Sequence, residues 1–188
     1  MKTAYQGLID RVDEMAARLS TRYATHLACR PGCSACCHHH LSVFCVEGDS
    51  IREAIGALPE AVRERIEQQA REVEDRESRG QAVACPMLVD EMCAIYASRP
   101  LICRTQGLPL LLEAEDGEPE VDFCPLNFTA PDALADLEEE FLVPLEEINL
   151  DLVLVNQAHC REKRIEPAPA GERVTMSDLI LSSPERIS

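Results

Sequence analysis

The 188-residue chain has no tryptophan, only three tyrosines and four phenylalanines, so its core must be mostly aliphatic. Basic residues are also scarce: 18 Lys and Arg stand against 34 Asp and Glu, a formal net charge of −16. That balance argues against nucleic acid as a partner, because counterion release needs clustered cations. An anionic membrane surface is equally unfavourable. The excess of acid reads instead as a solubility feature. The eight glycines are scattered, and no glycine-rich phosphate loop occurs. No apolar run reaches the length of a membrane span; the densest, near LPLLLE and LDLVLV, are too short. The opening MKTAYQGLIDRVDEMAARL carries charges where a secretory signal needs an apolar stretch. These absences lead to the expectation of a cytoplasmic protein.

What the chain has in excess is cysteine, ten in all. In a reducing compartment that count points to metal or redox chemistry rather than five disulfides. CRPGCSACC, Cys29 to Cys37, places four thiols in nine residues, with His38, His39 and His40 directly after. Cys33-x-x-Cys36 has the reach of a metal knuckle, since two intervening residues let both sulfurs face one ion. Cys29 and Cys37 flank it, and Cys85, Cys93, Cys103 and Cys124 return about fifty residues later. Eight cysteines in two clusters can fill one four-thiolate site with spares, or two sites. Adjacent Cys36 and Cys37 are expected to project differently, serving different metals or leaving one as a spare.

Thiolate-only sites suit zinc or an iron–sulfur cluster and exclude hard cations. Two features tilt the choice toward iron–sulfur. Cys85-Pro86 and Cys124-Pro125 are Cys-Pro pairs, like the last ligand of a bacterial ferredoxin run. Arg30 and Arg104 adjoin cysteines and Arg99 lies nearby, setting cations beside an anionic thiolate centre in an acidic chain. The histidine tract reads as a surface feature, and His26 and His159 as satisfied helix residues. Cys45, between Phe44 and Val46, reads as a core thiol, and Cys160 as a thiol near a helix end. No spacing argues for a Cys–His nucleophile pair or a carboxylate acid/base pair, so the residues alone do not indicate an enzyme.

The hydrophobic share of 46% and charged share of 28% fit one globular domain over residues 1–188. Tyr5, Leu8, Ile9, Val12, Met15, Ala16, Leu19 and Tyr23 share a helical stripe, predicting a flanking helix within about 3–26 that Arg30-Pro31-Gly32 stops. Residues 41–46 read as a strand or extended segment. Asp49 or Ser50 should cap a helix to about Leu58, and Pro59 should open another with Val62, Ile66, Ala70 and Val73 inward. Asp116-Gly117 fits a hairpin turn between LPLLLE and VDFC. Pro131 and Pro144 should open two more helices, the second within about 144–164 and facing the core through Leu145, Ile148, Leu152, Val155 and His159. The tail from about 165 to 188 is expected to be loosely attached. The fold class is mainly α: one α-rich domain whose irregular cysteine-bearing loops, with one short hairpin, are clamped by metal.

Two stretches, CRPGCSACCHHHLSV and CPMLVDEMCAIYASRPLICRTQGLPL, together resemble the YkgJ-type cysteine-cluster proteins, the CxxCxxCC zinc- or iron-chelating family. The second pairs Cys-Pro-x-Leu with Cys-x-Ile-Tyr-x-x-Arg-Pro-x-x-Cys-Arg, through Cys85, Cys93, Tyr96, Arg99, Pro100, Cys103 and Arg104. Cys124-Pro125-Leu126 resembles the family's final cysteine, and the likeness covers about residues 27–127. It implies a metal-chelating region whose shared cysteines are Cys29, Cys33, Cys36, Cys37, Cys85, Cys93, Cys103 and Cys124. Tyr96, Arg99 and Arg104 would then either position the loop or donate to cluster sulfurs. One departure stands out: three residues separate Cys29 from Cys33, not the two of the family pattern. Flagellin lysine methylases carry a similar cysteine pattern. Three functions thus stay open: a thiolate metal-binding protein, a methyltransferase- or redox-type metalloenzyme, and a zinc-stapled interaction module. No protein partner is specified.

Overall fold

Thr3 starts the first helix by accepting the Gln6 N–H on its hydroxyl at 3.1 Å, satisfying a donor that the helix leaves open. Helix α1 (Ala4–Arg22) then buries Tyr5, Leu8, Ile9, Val12 and Leu19, which follow the expected stripe. It ends at Tyr23, well before Arg30-Pro31-Gly32. The computed structural model describes residues 2–77, 79, 81, 83–113, 118–165 and 171–182. Among them the fold is mainly helical, and the strands are small.

The chain packs as two compact units, each built from two separate segments. The first comprises residues 1–30 and 101–154. It contains α1, the short helix α4 (Leu101–Thr105) and a three-stranded sheet in the order β5-β4-β6. Strand β4 (Leu110–Glu113) pairs antiparallel with β5 (Pro119–Asp122) and parallel with β6 (Val143–Pro144). The β4–β5 pairing is the expected hairpin; its Asp116-Gly117 turn lies outside the described residues. Pro131 opens no α-helix. Two 3₁₀ turns, Ala133–Asp136 and Glu139–Phe141, follow it instead. Pro144 does precede a long one, α5 (Leu145–Lys163), with Ile148 and Leu152 buried as expected, but its buried line continues through Asn156 and Cys160, and Leu145, Val155 and His159 are only partly buried.

The second unit comprises residues 31–100 and 155–188. Its core gathers Val43, Ile51, Ile66, Met87, Ile95, Met176 and Leu179, with Cys85 and Cys93 packed against it. Helix α2 (Cys45–Gly56) starts five or six residues earlier than expected, capped at Phe44 rather than at Asp49 or Ser50. Two acceptors explain the difference: Glu47 Oε2 takes the Phe44 N–H at 3.0 Å, and Asn156 Oδ1 takes the Val46 N–H at 3.1 Å. Helix α3 (Glu60–Glu77) buries Ile66, Ala70 and Val73 and leaves its charged side outward.

The described part of the C-terminal tail is tied down, unlike the loose segment expected. Strand β7 (Val174–Thr175) pairs with β1 (Ser42–Val43), and helix α6 (Met176–Leu181) puts Met176 and Leu179 into the core. Thr175 caps α6 by accepting the Asp178 N–H at 3.0 Å. Six residues make less than two helical turns, too few for a periodic pattern to show. Leu179→Ala should therefore cost about 2–4 kcal/mol in denaturant unfolding, the range of a buried Leu truncation. An exposed tail residue would shift stability by under about 0.5 kcal/mol.

Candidate metal centre

All ten cysteines lie among the described residues and none is in a disulfide. Five of the eight pattern cysteines belong to the second unit: Cys33, Cys36, Cys37, Cys85 and Cys93. Gly32, at φ +83°, turns the chain just ahead of Cys33. A 3₁₀ turn, Ala35–His38, then carries Cys36 and Cys37. Their thiols hydrogen-bond each other rather than facing apart. The Cys37 carbonyl accepts the Cys85 N–H at 2.6 Å, joining the two sequence clusters through the backbone.

Cys93 stands on a tight hairpin of β2 (Leu88–Val89) and β3 (Met92–Cys93). Its two turn residues, Asp90 and Glu91, both take positive φ, the geometry that matches the twist of the flanking strands. Neither is glycine or asparagine, which is why the sequence shows no hairpin there. Ser34 Oγ donates to Glu91 Oε2 at 2.9 Å and ties this turn to the loop bearing Cys33 and Cys36. The Met87 N–H donates to the Cys85 sulfur, and the Ile95 N–H to the Cys93 sulfur. Each is an amide two residues beyond its cysteine. Such donors favour a sulfur that carries charge.

The four thiols of Cys36, Cys37, Cys85 and Cys93 lie close enough to feel one another's charge. The hydrogen bond from Cys37, the Cys36 backbone N–H and the fields of His39 and His38 together hold Cys36 down at about 6, against the opposing effect of burial. Cys37, the donor in that pair, is pushed far up, first by that bond and then by burial and the charges of Cys36, Cys85 and Cys93. Burial pushes Cys85 up to about 11 against the Met87 N–H, and the Cys93 and Cys36 charges add to it. Cys93 is raised chiefly by burial, with the Ile95 N–H and Arg99 opposing.

Without a cation the group therefore carries one thiolate, on Cys36, at neutral pH. In metal-free protein Cys36 should be the fastest of these four thiols to alkylate at pH 7. Its rate should fall as pH drops through about 6, where the sulfur regains its proton. Peptide mapping after a brief iodoacetamide pulse reads this directly; preferential labelling of Cys85 or Cys93 would contradict it.

Arg99 sits beside this group. Its charge acts on Cys93, its guanidinium lies 4.1 Å from the Tyr96 ring centre, and its Nη1 donates to the Tyr96 carbonyl at 2.9 Å. Tyr96 is itself 64% exposed. Arg104 belongs to the first unit, where it is buried and donates to Asp13 Oδ2 at 2.6 Å. Arg30, also of that unit, reaches the Ala28 carbonyl at 3.4 Å.

The other three pattern cysteines, Cys29, Cys103 and Cys124, lie in the first unit. Asn127, fully buried, organises the loop around Cys29. Its Oδ1 accepts the Ala28 N–H at 2.8 Å, and its Nδ2 donates to the Gly107 carbonyl at 2.6 Å and lies 3.6 Å from the Cys29 sulfur. Gly107, at φ +90°, permits this approach: a Cβ there would stand 2.7 Å from that sulfur. Neither residue was singled out from the sequence, since an Asn three places after a Cys-Pro carries no signal of its own. His26 is in a turn, not a helix; it stacks on Phe128 and bonds Asp136 at 2.9 Å.

A family model described as "CxxCxxCC: Putative zinc- or iron-chelating domain" matches residues 28–125. The chain belongs to the CxxCxxCC family. All eight pattern cysteines fall inside the matched stretch, and so does Cys45, whereas Cys160 lies beyond it. Membership carries metal chelation, of zinc or iron, as the family's described property. No curated protein and no solved structure matches the chain. Among the described residues no helix is long and apolar enough to cross a membrane. Cys45 and Cys160, outside the family pattern, are both buried in the second unit.

Proposed function

We propose that this CxxCxxCC protein holds an iron–sulfur cluster through cysteine thiolates, with Cys36, Cys37, Cys85 and Cys93 supplying the ligands of the second unit. The observation that carries this reading is the group of four mutually interacting thiols with amide donors aimed at Cys85 and Cys93. Sulfur donors with N–H support suit soft metal centres and are wrong for magnesium or calcium. The Cys85-Pro86 and Cys124-Pro125 pairs, and Arg99 beside Cys93, favour a cluster over a lone zinc ion.

When bound, such a cluster supplies one-electron chemistry, Lewis acidity or a structural clasp. The chain's contribution is to present the sulfurs, bring N–H donors to them and place Arg99 beside Cys93. The acidic net charge supports a partner other than nucleic acid. The reduced thiols suit a cytoplasmic setting.

The test is anaerobic purification with iron, acid-labile sulfide and zinc quantified on the same sample. Brown protein with matched iron and sulfide is expected. Colourless protein carrying zinc alone would remove the iron–sulfur assignment, and protein without any metal would remove thiolate chelation altogether.

A further inference from the structure

Outside the eight family cysteines, one set of side chains in the second unit brings a thiol, a carboxylate and an imidazole to a point. Cys45 is the first residue of α2 and Asp49 lies one turn later, so both face the same side of that helix. His159 comes from the last turns of α5. One ligand atom from each of the three lies within 4.8 Å of the others. Cys160, 1% exposed, shares a hydrogen bond with Cys45, and its sulfur lies 3.8 Å from Asn156 Oδ1. Asn156, by accepting the Val46 N–H, fixes the start of α2 against this end of α5, so the donors stand on braced helices rather than on a loop.

A positive charge already sits there. Asp49 Oδ2 receives the Lys163 ammonium at 2.6 Å and His159 Nε2 at 2.7 Å, with Arg52 3.9 Å from the other oxygen. A structural ion-pair network would need Asp49 and the cations but no thiol. A nucleophilic thiol is also a poor description, because burial and the Asp49 charge push Cys45 up to about 11. Thiolate, imidazole and carboxylate are the three donor types that zinc accepts together, whereas calcium and magnesium take oxygen alone.

We propose that Cys45, Asp49 and His159 form a second metal site, for a divalent ion of the zinc class, with the fourth position left to water. The ion displaces the half-exposed Lys163 ammonium into solvent. Cys45 releases its thiol proton on ligating, and His159 binds as neutral imidazole through the nitrogen facing the ion. None of these residues belongs to the eight-cysteine pattern, so the site stands whether or not that pattern holds an iron–sulfur cluster.

The experiment uses the full chain, anaerobically purified, with metal content assayed before and after dialysis against buffered zinc. Cobalt(II) replaces zinc in a parallel optical titration that reports thiolate ligation. Wild type should take up one zinc per chain that Asp49→Asn and His159→Gln each lose, while the iron, sulfide or zinc bound by the other cysteines stays unchanged. Lys163→Met should bind zinc at this site about tenfold more tightly, since the competing ammonium is gone; a merely structural ion pair predicts no gain. Unchanged zinc stoichiometry in either ligand variant would overturn the proposal. If both ligand variants lack a cooperative melt, Lys163→Met decides alone: tighter binding sustains the site and unchanged binding overturns it.

Discussion

Cys85→Ser and Cys93→Ser should each leave the purified protein with less than about a tenth of the metal that wild type binds at its family cysteines. The reasoning starts from burial. Both sulfurs are sunk against the core of the second unit, and burial raises both thiols. Only a bound cation can hold them as thiolates at neutral pH, and the Met87 and Ile95 amides already point at the charge such a cation would leave on sulfur. Serine keeps the volume but offers a hard oxygen whose proton a soft metal does not displace. Changing a group that merely supports a ligand typically costs 10–100-fold in metal affinity, and losing the ligand itself should exceed that. Cys45→Ser is the internal control, because it should leave the metal bound by the family cysteines in place. Full metal content in either Cys85→Ser or Cys93→Ser would remove that residue from the ligand set.

Stripping the metal should lower the thermal midpoint by roughly 5–16 °C. The segment from residue 83 to 100 has little regular structure to hold it, since β2 and β3 are two residues each and Tyr96–Ser98 is one 3₁₀ turn. Residues 31–40 contribute another single turn, Ala35–His38. Structural metal sites in peptides supply about 10–16 kcal/mol of folding free energy. Even a quarter of that, at about 2–4 °C per kcal/mol for a chain of this size, gives the stated shift. The loss should be local as well as global. Amide exchange should accelerate first over 31–40 and 83–100, while α3 and α6, packed on each other, stay protected. An unchanged melt after complete chelation would show that the metal does not clamp these loops.

Helices with a long apolar stripe were readable because local periodicity and core burial agree. α1, α3 and α5 all satisfy that condition. The start of α2 was not readable, because Asn156, which receives its Val46 N–H, is 110 residues away. The hairpin carrying Cys93 was hidden because its turn, Asp90 and Glu91 at positive φ, contains neither the glycine nor the asparagine that marks such turns. Helix α6 was missed because six residues show less than two turns of pattern, and the tail's prolines suggested a loose end.

The chemical class was legible from residue types alone: ten cysteines in an acidic, aromatic-poor chain, eight of them in two clusters inside the stretch matched to the CxxCxxCC family. Side-chain identity and short spacing carry that information directly, since ligand type is a property of single residues. Which thiols stand together came from packing. It gave Cys36, Cys37, Cys85 and Cys93 one electrostatic neighbourhood, set Asn127 and Gly107 around Cys29, and brought Cys45, which had read as a core thiol, to Asp49 and His159. Those groupings depend on contacts between segments far apart in the chain, built from discontinuous units, and no local pattern encodes which distant residue a thiol will face.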